Sequence, residues 1–99
     1  MNQQPQRILI ADDEPLARQR IQRLVEELPE YRVCGEASDG NDALRKVAEL
    51  EPDILLMDIR MPGMDGMEAA HQLSQLSNPP AVIFCTAYDH YAIQAFEVR

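Results

Sequence analysis

Three carboxylates and a hydroxyl fall where apolar runs end: Asp12 and Asp13 after Ile8-Leu9-Ile10-Ala11, Asp58 after Ile54-Leu55-Leu56-Met57, and Thr86 after Ala81-Val82-Ile83-Phe84-Cys85. Read as parallel strands of one sheet, these runs deliver all four side chains to the same carboxyl edge, where open α/β sheets build their sites. Two carboxylates about 4 Å apart repel by roughly 4 kcal/mol at an effective dielectric of 20. Three in one pocket therefore require a cation among them or a retained proton. Mg²⁺ suits the set, because it takes oxygen ligands and is held by one or two carboxylates together with waters and phosphate oxygens. In such a pocket Asp58 could act as a nucleophile and become an aspartyl phosphate. A hydrogen bond from Thr86 to that phosphoryl group is worth around 1 kcal/mol, enough to bias a two-state loop. Taken singly, each acid reads as a helix cap or a turn former, and the Asp12-Asp13 pair as a complement to a helix dipole. Three acids and a threonine that each close their own strand favour the pocket.

The elements that must position these residues alternate along the chain. The run over residues 7–11 is continuously apolar after Arg7, as a strand covered on both faces should be. Glu14-Pro15 opens a helix whose Ile21, Leu24, Val25 and Leu28 recur at the spacing of one buried stripe, and Pro29 ends it. Residues 31–37 alternate between apolar and polar, which predicts a strand near a sheet edge. Ser38-Asp39-Gly40-Asn41 is a turn and cap cluster ahead of a second helix with Ala43, Leu44, Val47 and Ala48 on one face. A third strand spans 53–58. The loop Met61-Pro62-Gly63-Met64-Asp65-Gly66 leads to a helix capped by Asp65, reaching Leu76, with Met67, Ala70 and Leu73 turned inward. A strand over 81–86 and a last short helix from about Tyr88 to Phe96 complete a βαβαβαβα series. Right-handed crossovers then give a doubly wound parallel sheet, with the strand order left open by spacing alone.

Composition narrows the role. The chain has 99 residues, enough for one core, and 45% of them are hydrophobic. No apolar run approaches the ~20 residues that span a bilayer. The polar lead-in Met1-Asn2-Gln3-Gln4-Pro5-Gln6-Arg7 has no signal-peptide core, so a cytoplasmic location without membrane association is expected. A net charge of −8 argues against direct nucleic-acid binding by this chain, and Arg18, Arg20 and Arg23 read as a solvated helix face. Cys34 and Cys85 read as buried small apolar residues in strands, since they offer neither a disulfide framework nor zinc spacing. His71 and His90 read as solvated helix positions. Met57, Met61, Met64 and Met67 read as core and loop packing.

These motifs resemble the receiver domain of bacterial two-component response regulators. The resemblance rests on Ile8-Leu9-Ile10-Ala11-Asp12-Asp13-Glu14, on Leu56-Met57-Asp58-Ile59-Arg60-Met61-Pro62-Gly63-Met64-Asp65-Gly66, and on Phe84-Cys85-Thr86-Ala87. The phrases Asp12-Asp13-Glu14-Pro15-Leu16-Ala17-Arg18 and Cys85-Thr86-Ala87-Tyr88 further resemble regulators of the alginate/LytTR type, which carry a separate DNA-binding domain after the receiver. The resemblance implies a flavodoxin-like sheet, with strand order 2-1-3-4-5 in the family. It makes Asp58 the phospho-acceptor and Thr86 the switch hydroxyl, with small Ala87 leaving the phosphoryl group access. It has Mg²⁺ held by Asp13, Asp58 and the backbone carbonyl of Arg60, with Asp12 acting largely through water. It also implies a sensor histidine kinase as phosphoryl donor.

The family pattern further calls for a fifth strand ending in lysine, an aromatic switch residue on that strand, and a fifth helix. The chain reaches Arg99 before any of them, so residues 1–99 are expected to form a receiver incomplete at its C-terminus, with strand order 2-1-3-4 and the output domain outside it. Tyr88 and Tyr91 read as surface or packing residues rather than as that switch aromatic. Lys46, the sole lysine, is predicted on the second helix, solvent-facing and remote from the carboxyl edge, so weaker phosphorylation or none, with greater reliance on Mg²⁺, is expected. Residues 81–86 would form an apolar, uncharged open edge, which predicts self-association through that strand or an exchanged C-terminal segment. An aspartyl phosphatase of the haloacid-dehalogenase type is disfavoured, because Arg60 stands where the second Asp is needed. The expectation is therefore a signalling module rather than an enzyme. The alternative is a phosphorylation-independent interaction module, a pseudo-receiver.

Overall fold

The computed structural model describes residues 4–85 and the backbone of residues 96–98. Eight elements follow one another: β1 (Gln6–Ala11), α1 (Pro15–Glu26), β2 (Tyr31–Ala37), α2 (Gly40–Leu50), β3 (Ile54–Asp58), α3 (Gly66–Leu73), β4 (Ala81–Cys85) and β5 (Phe96–Val98). The sheet order is β2-β1-β3-β4-β5, and the first four strands run parallel. The four parallel strands give the doubly wound, flavodoxin-like order 2-1-3-4 expected, with the half-polar strand β2 at one edge, whereas the short antiparallel β5 corrects the expectation of a sheet without a fifth strand.

The alternation of β1 decides which helix lies on which face. Leu9 and Ala11 point into the larger core, with Leu55 and Met57 of β3, Phe84 of β4, Ala43 and Val47 of α2, and Ala69, Ala70 and Leu73 of α3. Ile8 and Ile10 point to the opposite face and meet Ile21 and Val25 of α1. A central strand buried on both sides must be apolar at every position, which accounts for the continuous run at 8–11. On the α1 side, Leu56 and Ile83 are only half-buried.

Several expectations are corrected in detail. Helix α1 rests on the sheet along a narrow line through Ile21 and Val25, so Leu24 and Leu28 are exposed (59% and 47%) instead of completing the predicted stripe. Arg18 lies on the inner side of the helix and is ion-paired, not solvated. Helix α3 ends at Leu73, and residues up to Leu76 continue as turns through the Leu76 N–H to Leu73 carbonyl bond of 3.1 Å. Ala69 takes the inward place predicted for Met67, which is exposed. Cys34 and Cys85 are half-buried free thiols rather than fully buried ones.

The edge predicted to be open at residues 81–86 is covered over residues 82–84. β5 pairs antiparallel with β4, setting Val82 against Val98, Ile83 against Glu97 and Phe84 against Phe96. Main-chain pairing over these residues removes the unpaired N–H and C=O row on which the expected self-association rested. The expected helix from about Tyr88 falls mostly outside the described residues, and its last residue, Phe96, begins β5.

Two glycines make the β3–α3 loop possible. Gly63 has φ +77°, the left-handed region that favours glycine. Gly66 opens α3 so close to β3 that a Cβ would lie 2.5 Å from the Asp58 carbonyl oxygen and 3.0 Å from the Phe84 ring. Its N–H donates to the Ile59 carbonyl at 2.8 Å, which locks the loop against the strand end. Gly66→Ala is expected to destabilise the chain by about 3 kcal/mol through overpacking against backbone, and Gly63→Ala by only about 1 kcal/mol. Urea unfolding measures both, and equal midpoints for the two variants would contradict this assignment.

Candidate functional site

The carboxyl ends of β1 and β3 are neighbours because Ala11 pairs with Met57. The next residues, Asp12 and Asp58, are thereby delivered side by side, and Asp13 follows on the loop. One carboxylate oxygen from each of the three lies within 4.8 Å of the other two. The sequence-predicted acids thus converge at a single point. A cleft of about 790 Å³ opens there, lined among others by Asp13, Glu14, Asp58, Arg60, Met61 and Asp65.

Local bonds hold the acids at their stations. Asp12 is buried (8% exposed), its Oδ1 accepts from the Glu14 N–H at 2.9 Å, and its own N–H donates to the Ala37 carbonyl at 3.0 Å. The Arg60 N–H donates to Asp58 Oδ1 at 3.3 Å. Downstream, Asp65 caps α3 by accepting from the Glu68 N–H at 2.9 Å, as predicted. Asp39 caps α2 in the same way through the Asp42 N–H at 2.7 Å. The Asp65 cap fixes the start of α3 where it borders the cleft.

Burial pushes the Asp12 carboxyl above the usual range, aided by the neighbouring Asp13 charge and opposed by the Glu14 amide. Burial likewise raises Asp58, with the Asp12 charge as the next cause. Cys85, paired in register with Asp58 on β4, is raised by burial and by the charges of Asp12 and Asp58. The acids therefore oppose one another's ionisation, and a divalent cation among them would relieve that opposition. The donor set is all oxygen and doubly or triply anionic, which fits Mg²⁺.

The remaining predicted residues are placed as follows. Arg60 borders the cleft, and the contact that its main chain makes with Asp58 is through its N–H. Thr86, Ala87, Tyr88, His90 and Tyr91 lie outside the described residues. His71 is exposed on α3, as expected. Lys46 sits on α2 and is only partly exposed: its ammonium donates to the Glu36 carbonyl and lies 3.5 Å from Asp42. Sequence reasoning missed Arg18. Its guanidinium donates through Nη1 to the Asp12 carbonyl at 2.6 Å and through Nε to Glu36 Oε1 at 2.9 Å. Its partner Glu36 is remote in sequence, so only the β1–β2 pairing could have shown the connection.

Because burial raises Asp58, the folded chain retains a proton there longer than the unfolded chain as pH rises. Stability therefore falls as pH climbs from the ordinary carboxylate pKa through the raised one, and the loss is complete above it. Asp58→Asn removes this loss. In metal-free buffer at pH 7 its thermal midpoint is expected to lie several degrees above that of the unsubstituted chain, with the gap closing at acid pH. A midpoint that drops at pH 7 would contradict the crowded-acid account.

Comparison with known proteins agrees with this geometry. The family described as response regulator receiver domain matches residues 8–99. The chain is 55% identical over 92 residues to the positive alginate biosynthesis regulatory protein of Pseudomonas aeruginosa, covering 92% of this chain and 37% of that protein. It is 45% identical over 92 residues to the sensory transduction protein LytT of Bacillus cereus, covering 93% of this chain and 37% of that protein. The chain thus spans well under half the length of these relatives. Among solved structures, the signal receiver domain of the putative response regulator NarL from Mycobacterium tuberculosis superposes with a TM-score of 0.82 at 36% identity, covering 88% of this chain and 70% of that one. The response regulator domain of Thermotoga maritima CheB gives 0.80 at 33% identity, covering 85% and 62%. With its acids gathered at the carboxyl edge of a 2-1-3-4 sheet, the chain belongs to the response regulator receiver domain family.

Proposed function

We propose that this chain is a phospho-accepting receiver module in which Asp58 takes a phosphoryl group from a phosphohistidine of a sensor histidine kinase. The convergence of Asp12, Asp13 and Asp58 within 4.8 Å is the observation that carries the reading. An Asp58 carboxylate oxygen attacks phosphorus, the bond from phosphorus to the donor nitrogen breaks, and an aspartyl phosphate results. Asp13, Asp58 and the Arg60 backbone carbonyl would hold Mg²⁺, with Asp12 contributing through water. When bound, Mg²⁺ supplies the positive charge that offsets both the carboxylates and the phosphoryl oxygens. The Thr86 hydroxyl would bond the phosphoryl group and carry its presence into the chain beyond β4.

The role is that of a phosphorylated signal carrier, not of a turnover enzyme. The similarity to the alginate biosynthesis regulatory protein supports a role in transcription regulation, and any DNA contacts would belong to a separate output domain, which the resemblance of the motifs suggests is of the LytTR type. A net charge of −8 fits a receiver that does not itself touch DNA. A cytoplasmic location goes with this role; among the described residues no helix is long and apolar enough to cross a membrane.

A second reading, a phosphorylation-independent interaction module, draws its support from Lys46. The one lysine within residues 1–99 is engaged by the Glu36 carbonyl and Asp42 rather than by Asp12, Asp13 or Asp58. Intact-mass measurement after incubation with acetyl phosphate separates the two. The receiver reading expects Mg²⁺-dependent gain of one phosphoryl group on a fraction of the chains, absent in Asp58→Asn. Gain that persists in Asp58→Asn would contradict Asp58 as the acceptor, and no gain in the presence of a saturating Mg²⁺ concentration would favour the second reading.

A further inference from the structure

Arg18 occupies an unusual place for a helix arginine. Its side chain is 18% exposed, and its fork reaches away from solvent to two acceptors on different elements. One is the Glu36 carboxylate on β2, at 2.9 Å from Nε. The other is the main-chain oxygen of Asp12, at 2.6 Å from Nη1. That oxygen belongs to the peptide that joins Asp12 to Asp13, so a bond to it fixes the orientation of the peptide plane. The plane's rotation is shared by ψ of Asp12 and φ of Asp13, and therefore sets the direction in which the exposed Asp13 side chain leaves the backbone. The other end of Asp12 is already tied, through its N–H to Ala37. Glu36 is itself anchored, since its carbonyl accepts from Lys46 of α2. A charge-assisted bond from a planar fork is directional in a way that a lysine ammonium is not.

We infer that Arg18 is a positioning residue that holds the Asp12–Asp13 peptide in the orientation in which both carboxylates face Asp58, and so sets the geometry of divalent-cation binding. This rests on the reading of the acids as a cation site, and it adds a specific consequence. Mg²⁺ demands near-ideal octahedral geometry, whereas Ca²⁺ tolerates irregular ligand placement. Loosening the acidic pair therefore penalises Mg²⁺ more than Ca²⁺. General destabilisation of the fold, by contrast, weakens both ions alike.

The test is titration of the 99-residue chain with Mg²⁺ and, separately, with Ca²⁺, followed by amide shifts of residues 12, 13 and 58. Arg18→Lys, Arg18→Met and Glu36→Gln are compared with the unsubstituted chain, each first shown to be folded by circular dichroism. Arg18→Lys, which keeps the charge but loses the fork, is expected to weaken Mg²⁺ by about tenfold or more, the range for residues that orient metal ligands. Ca²⁺ should weaken by less than about threefold, so the Mg²⁺/Ca²⁺ affinity ratio falls. Arg18→Met should behave alike despite removing a like charge from beside the cation. Glu36→Gln, which keeps an acceptor for Nε, should remain near the unsubstituted ratio. Equal loss of both ions, or tighter binding of both in Arg18→Met with no change in Arg18→Lys, overturns the positioning role while leaving the cation site standing. Absence of binding by the unsubstituted chain overturns the cation site and this inference together.

Discussion

Mutual repulsion of three carboxylates is the constraint around which this molecule is arranged. Asp12, Asp13 and Asp58 are brought within 4.8 Å by the pairing of β1 with β3, and the sheet cannot form in this register without gathering them. Burial adds to the opposition by lifting both Asp12 and Asp58 above the usual carboxylate range. A fold that accepts such a cluster stores a free-energy difference that cation binding or charge neutralisation can release. The receiver reading uses that stored difference as its signal.

Bonds made by the main chain hold the cluster in place. The Glu14 and Arg60 N–H groups donate to Asp12 and Asp58, and Arg18 grips the Asp12 carbonyl. Gly66 lets α3 begin in contact with the backbone of Asp58, so the β3–α3 loop lies tight against the strand end. Neither face of the sheet is neutral to this task. The larger core under α2 and α3 fixes β3 from one side through Leu55 and Met57, and α1 brings Arg18 to the site from the other.

The acids were legible because each ends an apolar run, and the period of those runs needed no knowledge of distant partners. The same holds for the Asp65 cap and for β2 as an edge strand. What the chain's text concealed was non-local. The stripe on α1 was read as Ile21, Leu24, Val25 and Leu28, yet a helix crossing two strands touches them along a narrow line, and only Ile21 and Val25 pack there. Arg18 looked like a solvated charge because Glu36 stands 18 positions away. Lys46 looked free for the same reason, its acceptor lying ten positions off in β2. The pairing of β4 with Phe96–Val98 escaped notice since three residues carry too little alternation to read as a strand.

The central claim is that a divalent ion belongs among Asp12, Asp13 and Asp58. Substoichiometric Mn²⁺ tests it directly, because its unpaired electrons broaden the amide signals of nearby residues. Broadening that begins at Asp12, Asp13, Asp58 and Arg60 and is reversed by excess Mg²⁺ is the predicted result. Broadening spread over the acidic residues at the end of α1 and in the turn after it, Glu26, Glu27 and Glu30, with those four unaffected, would contradict the account.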